Sequence, residues 1–244
     1  MVMFGLIGYP LHHSFSAKYF NDFFARTEIP EYYELFPIRD IDEFPLLLKK
    51  HRDLEGLNVT IPYKEKIIPF LTDLSEEARE IGAVNTIRIL NRGKILIGHN
   101  TDAIGFKNSI SPLLMPHMKK ALILGTGGAS KAVDYVLKKL GLEVTKVSRR
   151  ESEGVMTYDQ LDEDVISSHH VIVNTTPLGT WPDIDKYPDI PYQFLSPLHL
   201  CFDLVYNPET TSFMRKSAEH GAMVKNGLEM LHGQADAAWR IWVP

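Results

Sequence analysis

Apolar runs with the length of a β-strand alternate with helix-length segments along most of this 244-residue chain. The pattern is most regular after Asp102, where strands predicted at 121–124, 143–148 and 171–174 are followed by polar or helical segments. When helices separate consecutive strands, the strands usually form a parallel sheet with helices on both faces. We therefore predict an α/β protein.

The first hundred residues follow the same alternation but add an antiparallel element. The predicted helix at 16–26 begins with Ser16 as a possible N-cap. Predicted strands at 83–90 and 94–98 are separated by Asn91-Arg92-Gly93, which is typical of a β-hairpin. This part of the chain is therefore expected to contain a mixed sheet.

The segment from Ala121 to Ser130 passes from a strand through three glycines into a helix, which is the context of a Rossmann dinucleotide loop. Gly125 would form the tight turn, and Gly127 would let the backbone approach a pyrophosphate. Unpaired N–H groups at the helix N-terminus would bind the phosphates. A glycine-rich turn without a ligand is the alternative.

The end of the following strand carries Ser148-Arg149-Arg150. An NAD-specific fold usually has an acidic residue here, which bonds the ribose 2′-hydroxyl. An arginine instead pairs with a 2′-phosphate through charge-assisted hydrogen bonds. We therefore predict NADP as the cofactor, although Glu151 and Glu153 lie nearby.

Composition excludes several classes of function. The net charge of −5 and the pI near 6.1 argue against nucleic acid as a partner. We expect no membrane segment and no signal peptide. Cys201 is the only cysteine, which excludes an intrachain disulfide and favours a buried thiol and a cytoplasmic location. No spacing of histidine, cysteine and acidic residues predicts a metal site, and His12 and His13 are interpreted as structural.

Polar loops follow several of the predicted strands, and the most informative one runs from Asn58 to Lys64. Asn58 and Thr60 are two residues apart, so an extended chain points them the same way. Pro62 constrains the loop and Lys64 adds a cation. Similar groups of small polar residues occur at 8–16, 82–86 and 98–105. Such an inventory suits a small ligand with several hydroxyl groups.

In this order the motifs resemble those of the shikimate dehydrogenase family. The resemblance covers nearly the whole chain and includes Asn174-Thr175-Thr176-Pro177-Leu178-Gly179, Asp203 to Pro208 and Asn226 to Ala235. It implies the reversible NADPH-dependent reduction of 3-dehydroshikimate to shikimate, in the shikimate pathway that leads to chorismate and the aromatic amino acids. It also implies an N-terminal α/β substrate domain, residues 1–102 with 228–244, and a Rossmann-like NADP-binding domain, residues 103–227.

The resemblance also implies roles for individual residues. Lys64 and Asp102 are the expected catalytic pair. The expected substrate contacts are Ser14, Ser16, Asn58, Thr60, Asn85, Tyr206 and Gln234. The expected cofactor contacts are Gly125, Gly127, Gly128, Ala129, Ser148, Arg149, Thr175, Gly227 and Met230.

Three alternatives stay open at this point. A quinate/shikimate dehydrogenase would use NAD and a substrate with one more hydroxyl. A non-catalytic ligand-binding module on the same fold would not need both Lys64 and Asp102. A methylene-tetrahydrofolate dehydrogenase would share the two-domain plan without a reason for the paired serines. The sequence does not distinguish a monomer from a homodimer.

Overall fold

The computed structural model describes residues 2–11 and 14–243. Its internal contacts divide the chain into two compact units. The first unit comprises Met1–Thr101 with Ala235–Pro244, and the second comprises Asp102–Gln234. The predicted domains, 1–102 with 228–244 and 103–227, stay a prediction, because compactness does not reveal which ligand a unit binds.

The helices and strands alternate as the sequence predicts. The strands are β1 (Met3–Gly8), β2 (Tyr32–Pro37), β3 (Leu54–Val59), β4 (Asp73–Leu74), β5 (Thr86–Leu90), β6 (Ile95–His99), β7 (Lys120–Leu124), β8 (Glu143–Ser148), β9 (Val155–Thr157), β10 (Val171–Asn174), β11 (Leu200–Asp203) and β12 (Met223–Lys225). The helices are α1 (Phe15–Arg26), α2 (Phe44–Lys50), α3 (Glu76–Ile81), α4 (Thr101–Ile110), α5 (Gly128–Lys139), α6 (Glu163–Ser168), α7 (Ser212–Glu219) and α8 (Leu228–Trp242).

The first unit contains a mixed sheet in the order β2-β1-β3-β5-β6-β4. The strand β1 pairs in parallel with β2 and β3, whereas β5 pairs antiparallel with β3 and β6. The predicted hairpin is confirmed: Leu90 pairs with Ile95 across a four-residue turn, in which Asn91, Arg92 and Gly93 have positive φ. The strand β5 begins at Thr86, so the prediction of a strand from Ala83 was three residues too long.

An aromatic cluster fills one side of this sheet. Phe4 stacks on Trp242 with ring centroids 4.9 Å apart, and Phe20 stacks on Tyr33 at 4.8 Å. Trp242 also donates its indole N–H to the Ile87 carbonyl at 3.0 Å. The last turn of α8 is therefore held in the first unit by both packing and a hydrogen bond.

The second unit contains a parallel sheet in the order β12-β11-β10-β7-β8-β9. The strand order reverses between β7 and β10, which is the topology of a Rossmann fold. The sequence prediction of a mixed α/β unit with a Rossmann-like unit is confirmed. Ligands of such sheets bind at the carboxyl ends of the strands beside the reversal. Among the described residues, no helix is long and apolar enough to cross a membrane.

Candidate active site

Two loops at the carboxyl ends of β1 and β3 are joined by backbone hydrogen bonds. The Thr60 N–H donates to the Ile7 carbonyl at 2.9 Å, and the Tyr9 N–H donates to the Ile61 carbonyl at 3.1 Å. A Cβ atom on Gly8 would lie 2.4 Å from Cγ2 of Thr60, so only glycine allows this approach. Of the predicted substrate residues, Asn58 lies near the end of β3 and Thr60 directly follows this strand.

Ser14 is the N-cap of α1, which corrects the prediction that Ser16 begins and caps this helix. The Ser14 hydroxyl accepts a hydrogen bond from the Ala17 N–H at 3.4 Å. Ser16 therefore lies in the first turn and is partly exposed. His12 and His13 lie outside the described residues.

Asn58 is buried, and each polar atom of its amide has a partner. Its Oδ1 accepts from the Tyr33 hydroxyl at 2.8 Å, and its Nδ2 donates to the Asn85 carbonyl and to Oγ1 of Thr86. The Asn58 side chain is therefore oriented before any ligand binds. Tyr33 was not singled out from the sequence, and Thr86 belongs to the polar group at 82–86 but was not predicted as a substrate contact.

Asn85 continues this network at 2% exposure. Its Oδ1 accepts from the Thr101 main-chain N–H at 2.7 Å, and its Nδ2 donates to Oγ1 of Thr101 at 3.0 Å. Thr86 and Thr101 are also within hydrogen-bond distance through their hydroxyls. Because buried polar atoms without partners are costly, this cluster fixes the polar edge of the first unit.

Lys64 lies on the constrained loop after β3 and is partly buried. The preceding residue anchors the loop, because the buried Tyr63 donates its hydroxyl to the Ile38 carbonyl at 2.8 Å. The Lys64 carbonyl accepts from the Val84 N–H at 2.7 Å. The Lys64 backbone is therefore held in place.

Asp102 lies in the first turn of α4, a helix that was not predicted from the sequence. It is 7% exposed, and the positive end of the helix dipole favours a carboxylate there. The preceding Asn100 donates its amide to the Ala83 carbonyl at 2.9 Å. Two other predicted substrate residues, Tyr206 and Gln234, lie in the second unit with Asp102; Tyr206 is exposed and Gln234 is buried.

The glycine loop between β7 and α5 has the shape that a dinucleotide requires. Gly125 has φ of 110°, and a Cβ atom there would lie 2.8 Å from Oγ1 of Thr175. Gly127 is the N-cap of α5 and has open space where a Cβ atom would be. Ser130 replaces the usual third glycine, and its hydroxyl donates to the Gly127 carbonyl at 2.7 Å. Gly128 and Ala129 begin α5, so the loop and the helix N-terminus fit a pyrophosphate.

Arg149 follows β8 and is exposed. The Ser148 hydroxyl accepts from the Arg150 N–H at 3.3 Å, which forms a tight turn around Arg149. Burial raises the pKa of the nearby Tyr158, and the charge of Arg149 opposes this rise. The guanidinium of Arg149 is therefore available to a phosphate at the strand end.

The other predicted cofactor residues lie in the same unit. Thr175 donates its hydroxyl to the Leu124 carbonyl at 2.8 Å. A Cβ atom on Gly227 would lie 2.1 Å from the Leu204 carbonyl oxygen, so close packing alone requires glycine there. Met230 is buried, and its carbonyl would lie 2.3 Å from a Cβ atom on Gly105.

Asp203 is a buried carboxylate at the end of β11 that the sequence did not single out as a site residue. It accepts from Asn174 Nδ2 at 2.9 Å, from the Val205 N–H at 3.0 Å and from Oγ1 of Thr211 at 2.6 Å. Burial raises its pKa to about 6, although these three hydrogen bonds act in the opposite direction. Asp203 therefore ties the loop that carries Tyr206 to the end of β10.

The predicted site residues fall into two groups, one in each unit. The first unit holds Ser14, Ser16, Asn58, Thr60, Lys64 and Asn85, and the second unit holds the remaining predicted residues. Within the described ranges, no three His, Cys, Asp or Glu residues are arranged to hold a metal ion.

Comparison with known proteins identifies the family. The model of the shikimate dehydrogenase substrate binding domain matches residues 6–87. The shikimate dehydrogenase (NADP(+)) of Desulforamulus reducens is 35% identical over 98% of this chain and 88% of its own length. That of Carboxydothermus hydrogenoformans is 37% identical over 98% of this chain and 90% of its own length.

A solved structure agrees with these relatives. Shikimate 5-dehydrogenase of Thermus thermophilus, in complex with NADP(H) and shikimate, has a TM-score of 0.87 and 31% identity. The match covers 100% of this chain and 94% of that chain. The family resemblance predicted from the motifs is confirmed, and this chain belongs to the shikimate dehydrogenase family.

Proposed function

We propose that this chain is an NADP-dependent shikimate dehydrogenase, which reversibly reduces 3-dehydroshikimate to shikimate in the biosynthesis of chorismate and the aromatic amino acids. The observation that carries the proposal is the pairing of an open glycine loop at the strand reversal with a separate edge of buried amides and hydroxyls. The glycine loop suits a dinucleotide, and the edge of buried amides and hydroxyls suits a polyhydroxylated ring. The relatives that match this chain over 88% and 90% of their own length are named shikimate dehydrogenase (NADP(+)).

The residues of the second unit fit NADP. Gly127 leaves room for a pyrophosphate, and the N-terminus of α5 offers N–H groups to it. Arg149 would pair with the 2′-phosphate through charge-assisted hydrogen bonds. We also assign Gly125, Gly128, Ala129, Ser148, Thr175, Gly227 and Met230 to this site. When bound, the reduced nicotinamide would supply a hydride to the carbonyl group of the substrate.

We assign Lys64 and Asp102 to the chemistry of the carbonyl oxygen. Reduction of a ketone develops negative charge on this oxygen, and an ammonium group stabilises that charge. An acid must also deliver a proton to the oxygen. We propose that Lys64 mainly binds and polarises the carbonyl, and that it shares the proton transfer with Asp102.

We assign the hydroxyl groups of the substrate to small polar side chains. In the first unit these are Ser14, Ser16, Asn58, Thr60 and Asn85. We assign the same role to Tyr206 and Gln234, which belong to the second unit. On this basis residues 1–102 with 228–244 form the substrate domain, and residues 103–227 form the NADP domain.

Two further features of the proposed enzyme rest on the sequence. The lone Cys201 is fully buried and suits a reducing cytoplasm, where we place the enzyme. We propose that it works as a monomer or a homodimer, and light scattering on the purified protein distinguishes these two states.

A steady-state assay with four substrate and cofactor combinations tests the function. Shikimate and quinate are each offered with NADP⁺ and with NAD⁺, and kcat/KM is measured. We expect the highest value for shikimate with NADP⁺. A preference for quinate with NAD⁺ would identify the quinate/shikimate dehydrogenase, and no turnover in any combination would favour a binding module.

A further inference from the structure

We propose that Tyr33 is a positioning residue for the substrate, because its hydroxyl fixes the Asn58 amide with one lone pair of Oδ1 left for the ligand. The proposal rests on the proposed function, in which Asn58 binds the substrate. Tyr33 is not among the residues that the family motifs predict, and it is separated from Asn58 by 25 positions in the sequence.

The Tyr33 ring is fixed by its surroundings. It lies on β2, is 3% exposed, and stacks on Phe20 with an angle of 13° between the rings. Trp242 packs against it from the aromatic cluster, with ring centroids 6.4 Å apart. A ring held in this way places its hydroxyl at one point, and that point is 2.8 Å from Oδ1 of Asn58.

The directions of the hydrogen bonds follow from counting protons. A phenol has one proton, and Tyr33 donates it to Asn58 because an amide oxygen can only accept. The Asn58 amide is therefore held with its Oδ1 atom toward Tyr33.

The protons of the Asn58 amide can be counted in the same way. Its two amide protons are used by the Asn85 carbonyl and by Oγ1 of Thr86. One lone pair of Oδ1 accepts from the Tyr33 hydroxyl, and only the other lone pair is left for the ligand. Asn58 thus offers only an acceptor, so it selects a ligand hydroxyl that donates and disfavours an ether or carbonyl oxygen at this position.

The variant Tyr33→Phe tests the proposal, with Tyr32→Phe as its matched control. Tyr32 is the neighbour on the same strand, and its hydroxyl bonds to Asp53 at 3.1 Å on the exposed side. For Tyr33→Phe we expect KM for shikimate to rise about tenfold, with KM for NADP⁺ unchanged, because one buried hydrogen bond to the substrate shell is lost. Tyr32→Phe should leave both values unchanged.

A second measurement separates positioning from a general effect on folding. If Tyr33 acts through Asn58, the double variant Tyr33→Phe with Asn58→Ala should raise KM for shikimate no more than Asn58→Ala alone. Strictly additive effects, or the same KM in Tyr33→Phe and Tyr32→Phe, would overturn the proposal. If the wild-type protein shows no turnover of shikimate, the proposed function fails first and the proposal falls with it.

Discussion

The polar edge of the first unit and the glycine edge of the second unit both follow parallel strands, but they are built in opposite ways. In the first, buried side chains such as Asn58 and Asn85 already bond to one another. In the second, Gly127 has open space around it and Arg149 is exposed. A substrate ring with several hydroxyls needs acceptors and donors in fixed directions, whereas a pyrophosphate needs access to backbone N–H groups. The difference indicates that one edge is assembled before binding and the other is kept open for it.

The largest expected effect comes from the lysine at the first edge. Lys64→Ala should lower kcat by about a hundredfold or more, because an ammonium that stabilises the oxyanion is removed. Lys66→Ala is the control, since Lys66 is exposed two residues further along the same loop. Steady-state kinetics with shikimate and NADP⁺ provide the measurement. An unchanged kcat with only a higher KM would show that Lys64 binds without taking part in the chemistry.

Removal of one amide from the polar network should cost stability as well as binding. Asn85→Ala leaves the Thr101 N–H without its acceptor, and we expect a loss of about 2 kcal/mol in the free energy of unfolding. Asn108→Ala, at an exposed position on α4, is the control. Urea unfolding measures both. Equal stability of the two variants would mean that the first edge is not held together by this network.

At the open edge, a side-chain change should alter cofactor choice but not stability. Arg149→Ala should lower the ratio of kcat/KM for NADPH over NADH about tenfold, since a charge-assisted bond to the 2′-phosphate is lost. Arg26→Ala removes an equal charge from the other unit and should leave the ratio unchanged. A wild-type ratio near or below one would already contradict the assignment of Arg149.

A smaller effect is expected from the buried carboxylate in the second unit. The pKa of Asp203 is about 6 in the folded chain and near its ordinary lower value when unfolded, so the folded state favours the protonated form. Stability from this group is therefore present at low pH and is lost as the pH rises through about 6. Between about pH 5 and 6 the wild-type protein should lose about 1 kcal/mol relative to Asp203→Asn.

His169 and His170 contribute a pH dependence of the opposite sign. The wild-type protein and Asp203→Asn both contain these histidines, so their contribution cancels when the two proteins are compared. Burial lowers the pKa of each of them, so their contribution falls as the pH is lowered. The same slope of unfolding free energy against pH in both proteins would show that Asp203 does not titrate in this range.

Local patterns in the sequence predicted much of the second unit. The strands at 143–148 and 171–174 have the predicted bounds, since each is defined by its own run of residues. The helix α4 was missed because polar residues 100–102 resemble a loop when taken alone. Tyr33 carried no local signal either: its partner Asn58 lies on β3, and only the sheet order brings them together.

The comparison of the two edges is tested most directly by NADPH binding to the Gly127→Ala variant. In the free protein a methyl group fits at this position, where φ is −79° and nothing lies within 4 Å, so the melting temperature should not change. The methyl group would instead occupy the space reserved for the pyrophosphate, and the dissociation constant of NADPH should rise about tenfold or more. An unchanged dissociation constant would contradict the claim that the glycine edge is left open to bind the cofactor.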